Sequence, residues 1–191
     1  MATETEAKIP VADHEPLRAR LIELGAADQG QKVHVDIYFD TAEHRLRKSD
    51  SALRLRCAGQ ECQLAYKGPQ EKGRYKRREE IQTTVAEAEA MKSLLEKLGF
   101  TQSLLLEKSR ASWTLDRCRV ELDIVPLLGS FVEIEGPSPQ DITAVIERLQ
   151  LDGNNSITTP YTTLVLEHLA KTGNPSREIR LSKTDPSQGK T

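Results

Sequence analysis

The sequence predicts an α+β protein built on a closed antiparallel eight-stranded β-barrel, with a charged interior and helices packed on the outside. Two observations point there. Seven short segments carry charged residues at i and i+2, and four other stretches carry the periodicity of amphipathic helices. Side chains two apart share a face on a strand but lie about 200° apart on a helix, so these charges form continuous faces only if their segments are extended. Helices wrapped around a closed sheet would cover the apolar faces and turn the charged faces inward together.

Taken in chain order, Glu4, Glu6 and Lys8 alternate with Thr5, Ala7 and Ile9 as a first strand. A helix follows from about Glu15 to Leu24, with Asp13 as N-cap, Pro16 in the first turn, Leu17, Leu21 and Leu24 on one face, and Gly25 as the stop. Tyr38 and Phe39 alternate within Val35–Asp40, and Tyr38 is expected to fill the barrel. Arg54 and Arg56 alternate with Leu53, Leu55 and Cys57, and Lys67 follows Leu64 and Tyr66. Lys72, Arg74, Lys76 and Arg77 form a basic patch beside Gly73, expected on a loop at the tunnel mouth or in solvent. Arg78 and Glu80 come next, before Ile81.

A second helix spans about Ala86 to Leu98, with Met91, Leu94, Leu95 and Leu98 as its stripe and Gly99 at its end. Lys108 and Arg110 share a strand with Trp113, whose opposite parity places it outside against a helix. Glu121 and Asp123 interleave with Val120, Leu122 and Ile124, and Glu133 and Glu135 with Val132 and Ile134. A third helix runs near Pro139–Leu149 after Ser138, and a fourth from about Tyr161 to Ala170 behind Pro160. From Gly173 onward the chain is polar and aperiodic, which divides it into a domain over 1–172 and a disordered tail over 173–191.

The 191 residues, 37% hydrophobic and 29% charged, suit one globular domain. The formal charge of −2 gives no basic excess for nucleic acid, and no apolar run approaches a membrane span. Met1–Lys8 is acidic and lacks the apolar core of a signal peptide, so a cytoplasmic protein is expected. Cys57, Cys62 and Cys118 are odd in number and lack paired spacing, so reduced thiols without a role are expected. His14, His34, His44 and His168 have no ligand spacing. The sequence permits a homodimer without pointing to one.

A tunnel lined by equal numbers of acids and bases needs either salt bridges or ligands, because two carboxylates 7 Å apart repel by about 2 kcal/mol at an effective dielectric of 20. Mg²⁺ takes a few carboxylates plus water and phosphate oxygens, and Arg and Lys clamp phosphates, so a metal-bound triphosphate would satisfy both sets.

Glu4-Thr5-Glu6-Ala7-Lys8 resembles the ExExK signature of the CYTH superfamily, the triphosphate tunnel metalloenzymes. The resemblance continues through Ala52-Leu53-Arg54-Leu55-Arg56, Tyr66-Lys67-Gly68-Pro69, Arg77-Arg78-Glu79-Glu80, Glu107-Lys108-Ser109-Arg110, Glu121-Leu122-Asp123 and Phe131-Val132-Glu133-Ile134-Glu135, in the family's order. Leu128–Ile134 and Pro160-Tyr161 look most like the bacterial class IV adenylyl cyclase group. The resemblance implies an eight-stranded tunnel and a metal-dependent enzyme. Its metal, Mg²⁺ or Mn²⁺, would face Glu4, Glu6, Asp123, Glu133 and Glu135, with Glu121 joining them and Glu80 and Tyr38 in support. Lys8, Arg54, Arg56, Lys67, Arg78, Lys108 and Arg110 would line the phosphate path, with Lys8 or Lys67 as the catalytic lysine. The family's triphosphatases share nearly all of these charges, so cyclisation of ATP and hydrolysis of a triphosphate both stand, beside a polyphosphate- or nucleotide-binding module without turnover.

Overall fold

In the computed structural model, which describes residues 2–71 and 73–182, eight strands close into the expected barrel. They are β1 (Ala2–Val11), β2 (Ala27–Thr41), β3 (Ala52–Ala58), β4 (Glu61–Lys67), β5 (Lys76–Val85), β6 (Phe100–Leu115), β7 (Cys118–Val125) and β8 (Gly129–Glu135). Their order around the wall is β2-β3-β4-β5-β1-β8-β7-β6, and pairing of β2 with β6 closes the ring. All of these pairings are antiparallel. The first strand is therefore a central stave, held by β5 on one side and β8 on the other.

The helices stand where their apolar stripes placed them, with ends shifted by up to two residues: α1 (Glu15–Glu23), α3 (Ala88–Lys97), α4 (Pro139–Arg148) and α5 (Tyr161–Thr172), with a single short turn, α2 (Arg45–Lys48), between β2 and β3. Ser138 caps α4 by accepting from the Asp141 amide at 3.2 Å. Asp13 sits one residue before the N-cap position of α1, which His14 occupies, and accepts the Glu15 amide at 3.1 Å.

Strand alternation decides what each helix covers. Ala7, Ile9, Trp113, Val120, Leu122, Val132 and Ile134 pack with Leu17 and Leu21 of α1 and with Ile142, Val145, Ile146 and Leu149 of α4. Trp113 is thus outside the barrel, as its parity requires. Ile37, Phe39, Leu55 and Leu105 meet Leu95 of α3 on another stretch of wall. Each such leucine or isoleucine contributes about 1.5–3 kcal/mol by leaving water. The last helix behaves differently. Tyr161, Val165 and Leu169 pack on Leu104, Leu106, Val125 and Phe131, residues in step with Lys108, Asp123 and Glu133 along their strands, so α5 lies across one end of the barrel.

Two expectations are corrected. Glu178–Ile179 forms a ninth strand, β9, parallel to Leu105–Leu106 of β6, and Ile179 is buried with α5, so the segment after Gly173 belongs to the fold up to the last described residue. The rest of the expected tail, 183–191, lies outside the described residues. Cys57 and Cys62, expected as free thiols, face each other across the β3–β4 hairpin with Cα atoms 4.2 Å apart and are joined by a disulfide. Their thiols therefore give no argument for a reducing compartment. Cys118 is the free and buried one, its thiol pushed up to about 11 by burial. Among the described residues no helix is long and apolar enough to cross a membrane.

Candidate active site: a charged tunnel

The barrel encloses a cavity of about 430 Å³ whose wall includes Glu4, Glu6, Lys8, Arg54, Arg56, Lys67, Arg78, Lys108, Arg110, Glu121, Glu133, Glu135 and Tyr38. Strand pairing explains why they meet. Glu6 stands opposite Glu135 and Lys8 opposite Glu133 across β1 and β8; Glu133 stands opposite Glu121, and Arg110 opposite Asp123. On the other side Glu4 faces Arg78, Glu80 faces Lys67, and Arg54 faces Tyr38.

Most charges on the wall are paired with one another. Arg110 donates to both oxygens of Asp123, at 2.6 and 2.5 Å, and also to Glu133. Lys108 adds a third bond to Asp123 at 2.8 Å, and the Tyr161 hydroxyl a fourth at 3.1 Å. Asp123, fully buried, is thus the counter-ion of two cations. Lys8 lies 3.5 Å from Glu133 and donates to the Thr159 carbonyl at 3.1 Å. Lys67 sits between Glu4 and Glu80, 3.0 Å from the latter.

Burial and these pairs set the protonation states. Glu133 is held well below the usual carboxylate range by Lys108, Arg110 and Lys8, which outweigh the cost of its burial. Lys108 is lowered to about 8 by burial and then by Arg110, against the pull of Asp123 and Glu133. Lys8 is lowered as well, by burial before any charge. Burial pushes Tyr38 up to about 12, so the phenol stays protonated. Glu135 is raised by burial and by Glu4 and Glu6 nearby, the mark of an acidic cluster with too little positive charge.

Three buried side-chain atoms on this wall have no partner among the described residues: Nε of Arg54, Nε of Arg78 and Oε2 of Glu121. Both arginines also have only distant counter-ions, Glu80 at 3.9 Å from Arg54 and Asp50 at 3.5 Å from Arg78. The donor set asks for an anion, and the orphaned carboxylate oxygen beside Glu133 asks for a cation.

Several wall residues went unrecognised in the sequence. Lys76, read as part of a loop patch, points inward and bonds Glu6 at 2.5 Å; its i,i+2 spacing from Arg78 was the available signal. Of the remaining patch, Arg74 stacks on Tyr75 and Arg77 is exposed, while Lys72 lies outside the described residues. Asp36 is buried and takes two bonds from Arg56, at 2.6 and 2.7 Å; its parity with Tyr38 would have found it. Tyr161 enters the site from a helix, its ring 4.2 Å from the Lys8 ammonium and 5.0 Å from that of Lys108. His14 is structural, donating to the Phe131 carbonyl at 3.0 Å.

A closed antiparallel barrel with this lining defines a triphosphate tunnel protein. The CYTH domain profile matches residues 2–161, and the chain belongs to the CYTH family. A Methanocaldococcus jannaschii protein, named provisionally as an adenylate cyclase, is 32% identical over 132 residues, 69% of this chain and 75% of that one. Among solved structures, the PH1819 protein of Pyrococcus horikoshii superposes with a TM-score of 0.72 at 27% identity, over 86% of this chain and 98% of that one. A provisional adenylate cyclase of Vibrio parahaemolyticus has a TM-score of 0.77 at 17% identity, covering 85% of this chain and 97% of its own. A Hippeastrum protein, named as an adenylyl cyclase but described as having dominant triphosphatase activity, has a TM-score of 0.64 at 18% identity, covering 91% and 96%. These last two establish the barrel alone.

Proposed function

We propose that this chain is a metal-dependent enzyme that binds a triphosphate in its tunnel and acts as a class IV adenylyl cyclase does, converting ATP to cyclic AMP and pyrophosphate. The carrying observation is the incomplete wall at Arg54, Arg78 and Glu121. A buried polar group without a partner costs about 1–3 kcal/mol, so these positions favour a ligand that brings both phosphate oxygens and a cation. Glu4, Glu6, Glu121, Glu133 and Glu135 would hold Mg²⁺, or Mn²⁺ in its place. Mg²⁺ takes only a few carboxylates and fills its remaining positions with water and phosphate oxygens. When bound, the ion neutralises charge on the phosphate oxygens.

The chain's own groups do the rest. Arg54, Arg56, Lys67, Lys76 and Arg78 from one side, and Lys8, Lys108 and Arg110 from the other, bind and orient the phosphates through charge-assisted hydrogen bonds. Cyclisation requires the ribose 3′-hydroxyl in line with the α-phosphorus. Of the two lysines first assigned to catalysis, Lys8 has the direction of shift that a proton acceptor needs, and Lys67 is a phosphate-side cation between two acids. One observation favours a second reading, hydrolysis of a triphosphate: the unpaired wall atoms address phosphate and metal, and none addresses a ribose.

The test incubates the protein with Mg²⁺ and ATP, tripolyphosphate or thiamine triphosphate and resolves products by chromatography. Cyclic AMP with pyrophosphate supports the cyclase, orthophosphate without cyclic nucleotide replaces it by the triphosphatase, and tight binding without turnover leaves a binding module.

A further inference from the structure

We propose that the C-terminal segment builds a specificity subsite for the organic group of a nucleoside triphosphate, with Arg177 as its principal contact. The inference rests on triphosphate binding in the tunnel and adds to it the residue that selects a nucleoside triphosphate over a bare polyphosphate. The segment lies beyond residues 2–161, the part matched by the family profile.

Beyond its charged wall, the cavity runs into a mouth whose lining includes Gln102, Leu104, Thr163, Leu166 and Arg177. The chemistry changes there. Asp40 also borders the mouth but is not available to a ligand, because its carboxylate accepts the backbone amides of Thr41, Leu46 and Arg47 at 2.8, 2.9 and 3.1 Å. Besides His44, Arg47 and Asp50 around α2, the lining has two leucines of the α5 cluster, Leu104 and Leu166, the neutral polar Gln102 and Thr163, and the Arg177 guanidinium. A bare polyphosphate has no use for leucines, whereas a flat heterocycle is matched by apolar walls, amide and hydroxyl partners, and a planar cation able to stack on its face. The mouth is also contiguous with the phosphate wall: Leu104 pairs with Tyr38, which pairs in turn with Arg54.

Arg177 is positioned by design of the backbone, not by an ion pair. Its carbonyl accepts the Leu105 amide at 2.8 Å, and the next residues form β9 against β6. Ile179 is buried beneath α5, and Glu107 takes bonds from Arg180 at 2.6 Å and from the Leu181 amide at 3.1 Å. The Arg177 guanidinium itself forms no salt bridge among the described residues and bonds only the neighbouring Ser176 carbonyl, at 3.1 Å. A fixed backbone with an uncommitted planar side chain at a cavity rim is the arrangement of a recognition residue.

The test measures equilibrium binding of ATP and of tripolyphosphate by calorimetry, with Mg²⁺, to the full chain and to Arg177→Ala and Arg177→Lys. Both substitutions fall on an exposed side chain, so the fold is retained. Arg177→Ala should weaken ATP about tenfold, in keeping with loss of one base-stacking contact, and change tripolyphosphate less than twofold. Arg177→Lys should behave as the alanine variant does, because it keeps the charge and loses the plane. Ile179→Asp, which undocks β9, should reproduce the same selective loss. Equal weakening of both ligands would make Arg177 a phosphate contact and overturn the proposal, as would unchanged ATP binding. Failure of the unaltered protein to bind either ligand would overturn the tunnel reading beneath it.

Discussion

Replacing Asp36 by asparagine should destabilise the protein and at the same time strengthen its hold on polyanions. Asp36 is 1% exposed and is bound through both oxygens by Arg56, with Arg54, Lys108 and the His34 ring also in its field. Breaking a buried pair from one side costs about 3–5 kcal/mol; because Arg56 keeps some exposure to the tunnel, about 3 kcal/mol is expected. For a domain of this size that corresponds to a fall in Tm of about 6–12 °C, read by circular dichroism at pH 7. Arg56 holds the native Asp36 carboxyl well below the ordinary value despite burial. The stability it contributes is thus full above the unfolded-state value near 3.9 and is lost as pH falls below it, when the unfolded chain takes up the proton first. The Asn variant should lack that part of the acid slope. It also leaves Arg56 without its counter-charge, so tripolyphosphate should bind about tenfold more tightly, from roughly 1–2 kcal/mol of relieved repulsion at an effective dielectric of 20. A Tm within 2 °C of the parent (roughly the shift that half a kcal/mol gives a domain of this size) would refute the buried-pair argument. Unchanged or weaker tripolyphosphate binding would refute the assignment of Arg56 to the phosphate path.

Lys76→Met should weaken tripolyphosphate at least about tenfold by leaving Glu6 unpaired on the wall; calorimetry would return Lys76 to a purely structural role if affinity held. Arg56→Ala should raise KM or lower kcat for the triphosphate, and an unchanged rate at every substrate concentration would remove Arg56 from the site. Deleting Met1–Lys8 removes a stave paired on both edges, so cooperative unfolding should be lost. The Glu4→Gln/Glu6→Gln double variant should instead keep its melting transition and lose metal-dependent turnover. A well-folded deletion would contradict the topology, and full activity in the double variant would remove these acids from the metal site.

The barrel was legible because its signal is repeated: a charge at every second residue is readable within one strand, and many strands carry it. Lys76 and Asp36 obey that same parity, but Lys72–Arg78 also reads as a basic run and Asp36 lies in an apolar stretch, Val35–Asp40. Tyr161 was not legible in this way. It reaches the wall from the first turn of α5, and nothing within its own segment says that the helix will lie across the strand ends beside Lys8 and Asp123. The β9 strand is two residues long, too short for any period, and it forms because Leu105 and Glu107 offer partners on β6. The Cys57–Cys62 bond follows from hairpin register about Gly59, a pairing that residue counting across the whole chain overlooks.

The wall divides into a part the protein completes by itself and a part it leaves open, and the two should answer mutation differently. Asp123 and Glu133 already balance Lys108 and Arg110 in a fully buried network, closed by the Tyr161 hydroxyl. Removing a member there strands its partner in low dielectric, so the larger effect should be on stability. Arg54 and Arg78 have distant counter-ions and an unpaired Nε each, so the folded chain gains little from their charge and a bound phosphate gains much. Arg54→Met or Arg78→Met should therefore lower Tm by only a few degrees while weakening tripolyphosphate at least about tenfold, whereas Arg110→Met should lower Tm by about 6 °C or more. Measured side by side by thermal melting and calorimetry, the opposite ordering would mean that the unpaired atoms mark no ligand and that the tunnel is held open by its salt bridges alone.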